Sequence, residues 1–230
     1  MLTLRNVNSY YGRSQALHDL SMDAPDGQIV AILGRNGVGK TTLLRTIMGL
    51  TDRSEGQIDL GGQDIGVMPT FARARAGIAY VPQGRMIIPD FTIRDNILMG
   101  GFAAGGVRRI PEIVPELFPY LMDNLDRPGG VLSGGQQQQL AVARALACKP
   151  RILLMDEPTE GIQPNIVQQI EDSIIRLNKE LGLTILLVEQ NVDFAKRAAA
   201  SFAMVEHGTV VASGAIDTLT DDLVSRHMAI

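Results

Sequence analysis

Gly34-Arg35-Asn36-Gly37-Val38-Gly39-Lys40-Thr41 is a run whose residue types suit one task, the holding of phosphate. It fits the spacing G-x-x-x-x-G-K-[ST] in full. Its glycines let backbone N–H groups converge on anionic oxygens. Lys40 is expected to reach the β- and γ-phosphates of a nucleoside triphosphate, and the Thr41 hydroxyl to ligate Mg²⁺. Thr42 completes the expected ATP-binding set. A second pair, Asp156-Glu157, closes an apolar segment. A carboxylate at a strand tip can hold the water shell of Mg²⁺, which suits Asp156. Glu157, one residue on, is placed to orient or deprotonate an attacking water. A third element, Leu132-Ser133-Gly134-Gly135-Gln136, opens a helix and supplies another anion-binding helix terminus. Alone, the acidic pair reads as a solvated strand end and the serine turn as an ordinary loop-to-helix junction. Together with the glycine-rich run they point to ATP hydrolysis.

The elements that must position these residues follow from the pattern. Leu2, Leu4 and Val7 form one short strand-like segment, and Ala16, Leu17, Leu20 and Met22 another. Asp26-Gly27 reads as a turn between strands. Residues 28–33 are almost wholly apolar, the mark of a strand buried on both faces. The glycine-rich turn follows, then a helix from about Lys40 to Leu50. Ile78 to Val81 is another apolar run. From Gln83 to about Pro128, glycines and prolines are frequent and the segments look helical and short, so residues 84–130 read as an inserted helical lobe. The serine turn opens a helix over 137–147, with Leu140, Ala143 and Ala147 on one face. A second strand–turn–helix unit begins at 151–155. Pro164 suits the first position of its helix, and Gly182 ends it. Residues 183–188 form another apolar strand. His207-Gly208 sits between two strand-like runs as a hairpin turn. Three buried strands alternating with helices imply a mostly parallel sheet covered on both faces.

Bulk properties exclude several classes. The chain has 230 residues, 45% of them hydrophobic, enough for one large domain with a real core. Lys+Arg total 21 against 25 Asp+Glu, a net charge of -4, which argues against a nucleic-acid partner. The single cysteine, Cys148, fits a reducing cytoplasm and reads as a small apolar residue. No apolar run approaches the roughly 18 residues needed to cross a bilayer. Met1-Leu2-Thr3-Leu4-Arg5 lacks the features of a signal peptide. A soluble protein is expected, whose membrane role, if any, comes through a partner.

The order of glycine-rich run, Gln83, Leu132 to Gln136 and Asp156-Glu157 resembles the nucleotide-binding domain of ABC transporters, over essentially the whole chain. That resemblance implies the ABC ATPase fold: an α/β P-loop NTPase with a mostly parallel sheet flanked by helices, an N-terminal antiparallel β segment and the inserted helical subdomain. It implies that Tyr11, in Tyr11-Gly12, stacks on adenine; an edge-strand aromatic is the alternative. Gln83 would touch Mg²⁺ and the water and relay the nucleotide state to a membrane permease. Ser133, Gly134, Gly135 and Gln136 would bind the γ-phosphate of ATP held by a second ATPase subunit. The implied assembly is a head-to-tail dimer at the cytoplasmic face of the inner membrane. It is joined to permease subunits and, indirectly, to a periplasmic binding protein.

Two positions depart from the family pattern. A histidine usually follows the strand that ends here at Val188, but this chain reads Glu189-Gln190-Asn191. Gln190 cannot ionise, though it can donate a hydrogen bond to a γ-phosphate. Glu157 is therefore left as the base. An aspartate is usual in the loop that reads here Glu160-Gly161-Ile162-Gln163-Pro164, so Gln163 takes its place. Both departures resemble the branch serving branched-chain amino acids, urea and short amides. The runs 34–39, 133–139 and 160–164 are most similar to the urea-transporter ATPase. Two other readings compete: a soluble ABC ATPase acting on ribosomes or DNA, and a regulatory module that holds ATP without hydrolysing it. The first usually carries two such domains or a long coiled-coil insert; the second is opposed by the intact Glu157 and serine turn. His18, His207 and His227 show no metal-ligand spacing. Met48, Met68, Met86, Met99 and Met122 read mostly as core filling. Arg108-Arg109 reads as a solvated pair, and Arg85 as a solvated residue or a contact for the membrane partner.

Overall fold

The structure, a computed structural model, describes residues 1–103, 105–106 and 109–228. Of the Arg108-Arg109 pair, Arg108 lies outside the described residues, and Arg109 is exposed.

The chain opens with an antiparallel pair, β1 (Leu2–Tyr11) and β2 (Ser14–Ala24). Asp26-Gly27 then turns, but it closes no hairpin. It hands the chain to a second sheet, where β3 (Ile29–Leu33) lies between later strands. The glycine-rich loop leads into α1 (Lys40–Met48). β4 (Arg53–Leu60) and β5 (Gln63–Asp64) return to the first sheet, whose order is β2-β1-β4-β5. The short α2 (Thr70–Arg75) and β6 (Ile78–Val81) follow.

Between β6 and the next strand the described chain is helical: α3 (Ile93–Gly100), α4 (Val114–Leu117), α5 (Pro119–Asp123) and α6 (Gly134–Leu146). Then come β7 (Ile152–Asp156), α7 (Pro164–Leu181), β8 (Thr184–Glu189) and α8 (Val192–Ala198). The hairpin β9 (Ser201–Glu206) and β10 (Thr209–Ala215) precedes α9 (Asp221–Met228). The second sheet runs β10-β9-β3-β8-β7-β6, parallel except at β10.

Why the central strands are apolar at every position is visible in the core. Ala31, Leu153, Leu187 and Met204 face one cluster, packed against α6, α7 and α8. Their neighbours Ile32, Leu154, Leu186 and Val205 face a second cluster with α1 and the antiparallel sheet. Alternate residues thus enter different cores, and no strand face is left for water. Met48 is buried and Met68 and Met122 pack partly on these cores, but Met86 and Met99 are exposed. No helix among the described residues is long and apolar enough to cross a membrane.

One buried cation holds the end of α1. Arg73 is 3% exposed, and burial pushes its guanidinium below the usual range. It donates to the carbonyls of Thr46 (2.8 Å) and Ile47 (3.0 Å) at the helix C-terminus, and to those of Gly66 (2.7 Å) and Met68 (2.8 Å). The first two are carbonyls at the helix end, where intrahelical partners run out, though Thr46 also accepts from the Gly49 N–H (3.0 Å). Replacing Arg73 with Met keeps apolar volume but removes the side-chain donor from all four. Urea unfolding should show a loss of about 3 kcal/mol. A loss under about 0.5 kcal/mol, the size of an ordinary surface change, would sink this assignment.

Candidate functional site

Register in the parallel sheet decides what meets what. Leu33 pairs with Glu189, and Asp156 with Val188. The loops leaving β3, β7 and β8 therefore begin side by side at the carboxyl edge, where open α/β sheets bind ligands. Gly34 has φ 152, and a Cβ there would lie 2.4 Å from the Val205 carbonyl oxygen, so only glycine lets the loop pass β9. Gly39 caps α1 with φ 111, a conformation side-chain-bearing residues avoid.

Lys40 is buried. Its Nζ donates to the carbonyls of Gly34 (2.8 Å) and Arg35 (2.9 Å) and lies 3.3 Å from Glu157 Oε1. The Thr41 hydroxyl donates to Asp156 Oδ1 at 3.0 Å, and the Tyr80 hydroxyl to Oδ2 at 3.1 Å. Burial raises the Asp156 carboxyl above its ordinary value, against the pull of those two hydrogen bonds. Burial, then Asp156, also pushes the Tyr80 phenol up, so it stays a donor. Glu157 takes a left-handed turn, φ 46, while its N–H bonds the Val188 carbonyl at 3.0 Å. That turn sends its carboxylate to Lys40 and Gln190. Gln190 Nε2 donates to Asn36 Oδ1 (2.7 Å) and Glu157 Oε1 (3.0 Å), so one amide ties the β3 loop to the β7 loop.

Behind this pair sits Glu189, 3% exposed. Its carboxylate accepts from Thr159 Oγ1 (2.9 Å) and from the backbone N–H groups of Gln190 (3.2 Å) and Asn191 (3.4 Å). Burial lifts it above the ordinary glutamate range.

A cavity of about 600 Å³ opens over these groups, lined by residues 36–42, Gln83 and Glu157. Its far wall, Gln15, Ala16, His18, His207 and Gly208, is absent from the sequence reading of the site. The β9–β10 turn sits on the loop, with Gly208 N–H on the Val38 carbonyl (2.8 Å) and His18 N–H on the Gly208 carbonyl (3.0 Å). Nothing local signals this wall, because it is built from segments more than a hundred residues apart. Tyr11 is not among the lining residues; its ring lies 5.5 Å from the Arg45 guanidinium carbon. Gln83 is exposed and donates to Glu160 Oε2 at 2.6 Å.

Ser133, Gly134, Gly135 and Gln136 also lie outside the cavity lining. Ser133 and Gln136 form a reciprocal capping box on α6: the Gln136 side-chain oxygen accepts from Ser133 N–H (3.0 Å), and Ser133 Oγ from Gln136 N–H (3.4 Å). A Cβ on Gly135 would strike Ile166 Cγ2 at 2.4 Å, so α6 begins pressed on α7. Gln163 is exposed and caps α7 without a side-chain bond.

No group of three or more His, Cys, Asp or Glu side chains among the described residues could hold a metal without other ligands. The hydroxyl of Thr41 and the carboxylate of Asp156 are hard oxygen donors in contact. Such a pair fits a small hard ion that draws its remaining oxygens from phosphate and water. His227 instead pairs with Glu206, Nδ1 to Oε2 at 3.2 Å. Burial pushes the Cys148 thiol up to about 11, which leaves it inert at neutral pH.

A family model described as ABC transporter matches residues 17–160. The chain belongs to the ABC transporter family. A high-affinity branched-chain amino acid transport ATP-binding protein, BraG of Pseudomonas aeruginosa, is 41% identical over 213 residues, covering 92% of this chain and 91% of that one. A probable branched-chain amino acid transport ATP-binding protein, LivF of Archaeoglobus fulgidus, is 35% identical, covering 96% and 94%. Among solved structures, the ATP-binding cassette MJ0796, as a dimeric post-hydrolysis state bound to ADP and Pi, superposes with TM-score 0.81 at 25% identity, covering 94% and 99%. The α/β architecture is therefore that of an ABC ATPase, and the chain binds ATP.

For this ABC cassette the buried Glu189 gives a pH signature. Burial holds its folded-state value above the unfolded one, which is near 4.3. The unfolded chain thus loses this proton first. Wild-type stability falls as pH rises from about 4.3 through the folded value, then levels. Glu189→Gln lacks that slope. Denaturation of both proteins at stepped pH should show the stability of wild type minus variant declining across that window and flat above it. A rise with pH would refute the burial argument.

Proposed function

We propose that this chain is the ATP-hydrolysing subunit of an importer for a small polar solute, a branched-chain amino acid, urea or a short amide. One observation carries the reading. The loop of residues 34–42 meets Glu157 and Gln190 within one chain, while the Ser133 turn lies apart from that cavity. Half a site is thus built in each copy. A second ATPase subunit, identical or related, arranged head to tail, would bring its Ser133–Gln136 turn to the γ-phosphate. The dimeric form of MJ0796 supports such a pairing.

In this reading the N–H groups of Gly34 to Thr42 and the Lys40 ammonium bind the triphosphate. Tyr11 stacks beside the base. Thr41, Asp156 and Gln83 would hold Mg²⁺, which would supply neutralisation of developing phosphate charge. Glu157 accepts the proton of the attacking water. Its left-handed backbone fixes where the carboxylate points, and Gln190 steadies it without offering a competing base. To donate to a γ-phosphate, Gln190 would release one of its two acceptors, Asn36 or Glu157.

Residues 84–130 form the helical subdomain of a single nucleotide-binding domain spanning 1–230. The chain sits at the cytoplasmic face of the inner membrane, held by permease subunits, and a periplasmic binding protein delivers the solute to them. BraG and LivF, both named for branched-chain amino acids, support that branch. The urea reading rests on the residues of 34–39, 133–139 and 160–164.

Glu157→Gln is the deciding variant. Phosphate release with permease present should fall about a thousandfold, the scale of losing a general base. ATP should still bind, and size-exclusion chromatography should show an ATP-dependent dimer. Turnover at the wild-type rate would remove Glu157 from the role.

A further inference from the structure

Residues 84–86 are bent in a way that ATP binding alone does not require. Gly84, Arg85 and Met86 take φ 74, 68 and 44. Two of the three carry side chains and so resist the left-handed region. Arg144 of α6 holds the bend: its Nη2 donates to the Arg85 carbonyl at 2.9 Å and its Nη1 to the Met86 carbonyl at 2.7 Å. Arg144 is half-buried, and burial pushes its guanidinium below its usual value. Strain held by two hydrogen bonds from one cation marks a shape with a task.

The bend aims the Arg85 side chain inward, leaving it half-buried. Its Nη2 faces the carbonyls of Glu160 (3.4 Å) and Gly161 (3.5 Å), at the long end of hydrogen bonding. The same guanidinium lies against the start of α6, where a Cβ on Gly134 would be 3.2 Å from both Nη atoms. Two residues earlier, Gln83 bonds the Glu160 side chain. A cation beside a helix N-terminus is electrostatically unfavourable. The two carbonyls, both facing Nη2, offset that cost, while the flat guanidinium lies with both Nη atoms against Gly134, a contact a compact lysine ammonium does not reproduce. A side chain so engaged is not a free contact for the membrane partner.

We propose that Arg85 is a positioning residue that makes the Gln83 loop, the Glu160–Gly161 loop and the Ser133–Gly134 turn move as one body. Gln83 lines the cavity of its own chain, whereas the Ser133 turn lies outside it. The consequence for turnover rests on the head-to-tail reading above, in which that turn serves the partner's ATP. A change sensed at one site then reaches the other through a single guanidinium.

Hydrogen–deuterium exchange on the full chain tests the tie without nucleotide or partner. Arg85→Ala should speed exchange of amides in 159–163 and 134–137 about tenfold, while α1 and β3 stay protected. Arg85→Lys, which keeps charge but not the fork, should restore only part. Unchanged exchange in those two segments overturns the proposal. So does faster exchange throughout, which would mark general destabilisation. In the assembled transporter Arg85→Ala should leave the KM for ATP within about twofold and lower kcat about tenfold, with a Hill coefficient nearer one. Wild-type turnover and cooperativity in the variant would also overturn it. Should exchange change as expected while wild type itself shows no cooperativity, the tie holds and the head-to-tail reading falls.

Discussion

Parallel pairing of β3, β8 and β7 is the constraint on which the rest depends. Neighbouring strands lie about 4.8 Å apart, and these three are in matched register at their carboxyl ends. The phosphate loop, the Asp156-Glu157 pair and the Gln190 loop thus start within two strand spacings of one another. No side-chain contact has to find its partner by search; the ladder has already set the distances. The ladder itself persists because both faces of the sheet are covered, one by α6, α7 and α8, the other by α1 and the antiparallel sheet.

Burying charge at that edge would be ruinous without pairing. Lys40, Asp156 and Glu189 are each nearly inaccessible to water. Each is resolved differently. Lys40 has two carbonyls and the Glu157 carboxylate. Asp156 has two hydroxyl donors, from Thr41 and Tyr80, yet burial still raises it. Glu189 spends its acceptors on the backbone of its own loop and on Thr159. It thereby ties Thr159 of the β7 loop to the backbone of Gln190 and Asn191.

Much of this is legible in the residues, and unevenly so. Strands buried on both faces announce themselves by unbroken apolar runs, and residues 28–33, 151–155 and 183–188 are the central trio β3, β7 and β8. The phosphate loop carries its own spacing. β4 escapes such reading because Arg53-Ser54-Glu55-Gly56-Gln57 looks like a polar loop; it is the largely exposed first part of a strand that becomes buried at Ile58 and Leu60. Asp26-Gly27 looks like a hairpin turn because turn chemistry is local, while the choice of sheet is not. Helix α8 is hidden by its brevity, though Asn191 caps it by accepting from Phe194 N–H. Spacing cannot place His18 and His207 on the cavity, since only the β9–β10 turn resting on Val38 brings them there.

The glutamine at position 190 follows from the same geometry rather than standing as an isolated oddity. A group there must bridge Asn36 and Glu157, one an amide oxygen and the other a carboxylate. Both are acceptors, so the bridge needs two donors on one atom. A glutamine amide nitrogen has two hydrogens and serves both at once; a neutral imidazole offers one. An imidazolium would offer two, but on separate nitrogens and with a charge beside Lys40, which already faces Glu157 at 3.3 Å. Gln190 is uncharged, so the bridge adds no titrating group beside Glu157 and Lys40.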